Sequence, residues 1–172
     1  MVDLELEVAD LINAVYDANN ALSELDGQFD AACLATDPLV GLTELSRIVK
    51  RALILQQFAD ELKHFASQFH VTPAEDDECD AMIGAIHQIA NAETSNSKLF
   101  EQIVAFRRIF ATFAYQDNAL QVLQQQIEND DPQFGNDTYV ATALDKTVAP
   151  AIARVVGMCD VLQSFSRLLS TV

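Results

Sequence analysis

Apolar residues recur every three to four positions along nearly the whole chain, and no useful length alternates apolar with polar. The first spacing lines up side chains on one face of a helix, whereas alternation is what a half-buried strand needs. The pattern excludes a sheet and predicts an all-α protein. Five glycines and four prolines are too few for a linker, and they fall between the apolar stripes. A chain of 172 residues is close to the usual size of one domain. The reading is a single helical-bundle domain over residues 1–172. Short connections favour antiparallel neighbours, so five or six helices are expected in an up-and-down bundle.

The first stripe, from Leu4 through Val8, Leu11, Val15 and Leu22 to Phe29, predicts a long helix, bent or split near Gly27. Asp37 and Pro38 then supply a cap and a first-turn proline for a second helix, whose stripe runs from Leu42 to Phe69. Thr72-Pro73-Ala74-Glu75 has the spacing of a capping box and predicts the start of a third helix. Asn96 or Ser97 is expected to cap a fourth, and Asp130 to Gly135 marks a loop. Pro150 is expected to kink a helix or begin the last one, with its stripe from Ile152 to Leu169.

Twenty-six acidic against ten basic residues give a formal charge of -16. That surplus repels phosphates and argues against nucleic acid and against docking on an anionic membrane surface. Asp3, Glu5 and Glu7 stand where a secretory signal would be positive. Arg154 and Asp160 interrupt the most apolar stretch, short of the roughly 20 residues a membrane span needs, so the chain is read as soluble and not membrane-spanning. Cys33, Cys79 and Cys159 form no CxxC pair and read as buried, inert thiols.

Little in the sequence points to catalysis. Glu61 and His64 make half of the carboxylate-histidine signature of a dimetal site, and His70 and His87 lack the matching glutamate. The acidic run Glu75 to Asp80 lacks the glycine that a calcium loop requires and reads as a solvated helix start. Gly-x-Ser-x-Gly is absent, and no glycine-rich phosphate loop follows a strand. No catalytic residue, metal ligand or cofactor is assigned, and the expectation is a non-enzymatic protein. Asn136-Asp137-Thr138 is a formal glycosylation sequon.

Ten phenylalanines, three tyrosines and no tryptophan leave most of the aromatic bulk without a polar handle. Phe58, Leu62 and Phe65 lie on the second stripe, Phe106, Phe110 and Phe113 on the fourth, and Leu162 and Phe165 on the last. These residues either fill a core or line an apolar cavity between helices. In the second case they bind a fatty acid or another lipid, with Arg107 meeting its carboxylate at the mouth. The alternative function is an acidic helical module that docks a protein partner over a filled core.

Three stretches carry a family resemblance: DDECDAMIGAIHQI, LFEQIVAFRRIF, and the Leu120–Leu123 segment ahead of Pro132-Gln133-Phe134. From Leu42 onward, about three quarters of the chain, the sequence resembles the fungal hydrophobic surface-binding proteins, which include the Mp1-type cell-wall mannoproteins. The resemblance implies a five-helix bundle that encloses a fatty acid, is secreted and lacks catalytic activity. Without it, a cytoplasmic location is expected.

Overall fold

The last third of the chain organises the rest. In the computed structural model, which describes residues 4–73, 75–91, 95–105 and 118–170 with side chains from Val8 onward, the C-terminal helix is the hub. The elements are α1 Leu4–Cys33, α2 Pro38–Ala52, α3 Leu55–Ser67, α4 Asp77–Asn91, α5 Asn96–Ala105 and α6 Asn118–Glu128. A 3₁₀ turn Pro132–Gly135, helix α7 Asp137–Ala143, a π turn Leu144–Val148 and helix α8 Ala149–Leu169 complete the described chain. Helix α8 packs against α1, α2, α3 and α4, while α5 rides on α2 and α6 on α1. The described residues contain no strand, and the protein is an all-α bundle as the periodicity predicts.

One apolar cluster runs through the bundle from Val8 to Leu169. Helix α8 is nearly apolar all round, with Ile152, Val155, Met158, Leu162 and Phe165 fully buried. Burial of each large side chain of this kind stabilises by about 1.5–3 kcal/mol. The segment Asp137–Leu169 is long and apolar enough to cross a membrane, which the interruption by Arg154 and Asp160 was expected to prevent. Two thirds of its most apolar window (67%) is inside the bundle, as befits a core helix.

Several local expectations hold. Asp37 caps α2 by accepting the Leu39 N–H at 2.9 Å, with Pro38 in the first turn. The long first helix forms as expected but is not split at Gly27: α1 continues to Cys33, because that glycine faces open space and costs only intrinsic propensity.

Others are corrected. The second stripe is two helices, broken at Leu53–Ile54, so Phe58, Leu62 and Phe65 belong to α3. No glycine or proline marks this break; it lets α3 turn onto α8, where Gln163 Nε2 donates to Gln56 Oε1 at 2.8 Å. The Thr72–Glu75 capping box does not start α4. Asp76 caps it instead, its Oδ1 accepting the Cys79 N–H at 3.1 Å. Ser95, rather than Asn96 or Ser97, caps α5 through the Lys98 N–H at 3.4 Å.

Helices α3 and α6 end alike. His70 (φ 58°) and Asp130 (φ 50°) occupy the left-handed region, and the next residue closes the helix, with Val71 N–H on the Ala66 carbonyl and Asp131 N–H on that of Gln126. This is the glycine-type C-terminal cap built without glycine. Ahead of Pro150, which has no N–H to give its helix, the chain widens into the π turn, and the Ala149 N–H bonds the Leu144 carbonyl.

Candidate functional site

The connection from α6 to α7 is held by side chains as well as by its own backbone. Asp131 Oδ1 accepts the Gln133 N–H at 2.9 Å and so caps the 3₁₀ turn. Gln126 on α6 donates to Asp131 Oδ2 (3.2 Å) and to Gln133 Oε1 (3.1 Å), and accepts the Tyr139 hydroxyl proton (2.7 Å). Asn136 caps α7 by accepting the N–H groups of Thr138 (2.9 Å) and Tyr139 (3.2 Å), which is the structural use of the sequon asparagine. These bonds fix Phe134, whose ring stands edge-on to Tyr139 with centroids 5.8 Å apart.

Phe134 is thereby presented to the ends of α1 and α3, and a half-open cavity of about 310 Å³ forms there. Its walls are Val8 of α1, Phe69 beyond α3, Phe134, Val140 of α7 and Leu144 of the π turn. Asp137 contributes the ionisable group of the lining. Burial drives binding in such a site, and one carboxylate offers little for chemistry beyond orienting a polar end.

The residues expected from the sequence to line a cavity are divided. Phe165 is fully buried, its ring centroid 5.5 Å from that of Phe29, and Leu162 and Leu62 are buried beside it in the apolar cluster. Phe58 and Phe65 are half-buried on α3. Phe65 stands edge-on to Phe69 at 5.7 Å and so backs the cavity wall. Phe106, Phe110, Phe113 and Arg107 lie outside the described residues. The sequence did hold a signal for the observed lining, an aromatic residue at Phe134 inside a Pro/Gly turn followed at helical spacing by Val140 and Leu144. Read simply as a loop and a short helix, it did not connect with Val8.

Glu61 and His64 are both exposed on α3. Among the described residues no three of His, Cys, Asp and Glu converge so as to hold a metal ion.

A second polar cluster was missed. Arg154, in the middle of α8, is buried and donates through Nε to Asp76 Oδ2 at 2.6 Å and through Nη2 to Glu78 Oε2 at 2.7 Å. The acidic start of α4 is therefore only partly a solvated helix end. Burial alone would raise the Asp76 carboxyl, but the Arg154 hydrogen bond, the Cys79 N–H, the guanidinium charge and the Glu78 N–H together hold it below its ordinary value. Cys79, behind this clamp, is pushed up to about 12, first by burial and then by the Asp76 charge. Burial, with Asp160 and Asp60 adding to it, takes Cys159 to about 12 as well. Neither thiol is a nucleophile at neutral pH.

The chain matches no protein-family model, no curated protein and no solved structure.

Proposed function

We propose that the protein is a non-catalytic binder of an apolar small molecule of the fatty-acid or lipid kind. The observation that carries this reading is the cavity formed by Val8, Phe69, Phe134, Val140 and Leu144. Its volume of about 310 Å³ is at the small end of the ~300–1,000 Å³ usual for ligand sites. The Gln126–Asp131–Tyr139 bonds hold its outer wall in place, and a preformed wall lowers the ordering cost of binding. The resemblance to the hydrophobic surface-binding proteins favours the same ligand class, and with it secretion. Asp137 at the lining disfavours an anionic head there and favours a neutral ligand or one whose head points to solvent.

Native mass spectrometry before and after organic extraction tests for a carried ligand. The neutral probe N-phenyl-1-naphthylamine tests the cavity itself. Its fluorescence should rise saturably with the protein and be lost in Val140→Asp, a half-buried position, with an unchanged circular dichroism spectrum and melting temperature as the check that the fold survives. A bare chain mass together with no saturable probe signal sinks the reading.

A second reading, an interaction module, is favoured by the apolar patch at the α1–α2 turn. Leu34 is 71% exposed there, with Leu39 and Val40 also open to solvent. Exposed apolar side chains grouped in this way mark a protein contact. Leu34→Ser combined with Val40→Ser would then abolish capture of the partner and leave probe binding unchanged.

A further inference from the structure

A groove of about 570 Å³ runs between α2 and the last turn of α8, at the end of α8 remote from the Phe134 cavity. One face of α2 supplies Thr43, Ser46, Arg47 and Lys50, at helical spacing. Ser166 of α8 and Ser170, the residue that caps it, stand opposite, with the buried Leu42 and Leu169 behind them. The lining contains two cations and no carboxylate, in a chain with 26 acidic residues and 10 basic ones.

The donors there are available. Thr43 and Ser170 give their hydroxyl protons to the Leu39 and Arg167 carbonyls, at 2.8 and 2.7 Å, and present only lone pairs. Ser46 and Ser166 are half-buried, and no partner for either hydroxyl, or for the Lys50 ammonium, is found among the described residues. Arg47 meets Glu44 at 3.3 Å, an exposed pair of the kind worth little and easily exchanged for another anion. Lys50 and Arg51 also offset the negative end of the α2 dipole, but Arg47 and the serines lie outside what that role needs.

We propose that this groove is a second binding site, for the phosphate group of a small soluble phosphate or phosphate monoester. The tetrahedral head is held by Arg47, Lys50 and the Ser46 and Ser166 hydroxyls. A guanidinium, an ammonium and hydroxyl donors together match the several acceptor oxygens of a phosphate. The overall charge of -16 repels all phosphates, but a membrane surface that presents many of them far more than a single soluble head held by local cations.

The test is a titration with inorganic phosphate and with n-butyl phosphate, followed by backbone amide shifts and calorimetry. Saturable binding of both is expected, with shifts confined to residues 42–50 and 166–170. Arg47→Gln with Lys50→Gln, both at exposed positions, should weaken it about tenfold or more while leaving the melting temperature nearly unchanged. Val140→Asp should not affect it, which separates failure of this site from failure of the apolar cavity. Absence of saturable shifts, or binding unchanged in the double variant, overturns the proposal. Co-sedimentation with phosphatidylglycerol vesicles that the double variant abolishes overturns the assignment to a soluble ligand.

Discussion

Arg154 and Asp76, 78 positions apart in the chain, are joined by a 2.6 Å hydrogen bond from Nε to Oδ2. The same carboxylate caps α4 through its other oxygen. One side chain thus sets both where α4 begins and where it rests on α8. Arg154 and Asp76 side chains are 8% and 11% exposed, whereas that of Glu78 is 63% exposed, so the two contacts of the guanidinium differ in weight.

Removing one member of a buried pair strands the other. Arg154→Ala is expected to cost about 3–5 kcal/mol, and Asp76→Asn less, because the amide oxygen still caps α4 and Glu78 still meets the guanidinium. Glu78→Gln should cost under about 1 kcal/mol, as exposed pairs do. Urea denaturation of the three variants checks the order, and a Glu78→Gln effect equal to that of Arg154→Ala would refute it.

The pH dependence follows from the same carboxylate. Its folded-state pKa is depressed, so its contribution is complete above the unfolded value of about 3.8 and is lost as pH falls through the lower folded value. Asp26 acts oppositely. Burial, then the Asp30 charge, raise its carboxyl, so the folded state gains stability as pH drops through that raised value. Stability should therefore improve on mild acidification and fall steeply only below pH about 4. Asp26→Asn should remove part of the mild-acid gain, and Asp76→Asn should flatten the fall. Thermal melts across the pH range measure both.

Glycine replacements should separate by position. A Cβ on Gly157 would lie 2.8 Å from Cys79 Sγ and 2.9 Å from Cys79 Cβ, at the closest approach of α8 to α4. Gly157→Ala is expected to destabilise by about 1–3 kcal/mol. Gly84→Ala, on the exposed side of α4 with nothing within 4 Å, should stabilise by about 0.5–1 kcal/mol. Opposite signs for one chemical change are the check, read as shifts in denaturation midpoint.

Thiol labelling offers a further check. All three cysteines are buried, and Cys79 and Cys159 are pushed to about 12. The folded protein at pH about 8 should react with a disulfide reagent only as fast as it opens, and release all three thiols at once in denaturant. Rapid labelling of one thiol in the folded protein would contradict the placement of that residue.

Helix content and the α2 cap were legible because periodicity and capping are local. Asp37-Pro38 declares itself within two residues. The break at Leu53–Ile54 was not legible, since what bends the chain there is packing of α3 on α8. Arg154 misled for the same reason: in the sequence it interrupts an apolar stretch, and only the folded chain brings Asp76 to it. Among the candidate ligand residues, Phe65 was found near the cavity because Phe69, in the turn that closes α3, folds back against its ring. Val8 and Phe134, 126 positions apart, meet through tertiary contacts that no helical period encodes. Phe165 has the right character and the wrong surroundings, since Phe29 already fills the space beside it.

The π turn before Pro150 carries one more residue per turn than the helices it joins, which offsets them by about 100°. Val140 upstream of it and Leu144 at its start line the cavity, and Ile152 and Val155 face the core downstream. The two halves of this rod are thus geared independently. Mutation can enlarge or narrow the upstream wall without rotating the downstream side chains out of register, so the shape of the cavity can drift while the core stays fixed.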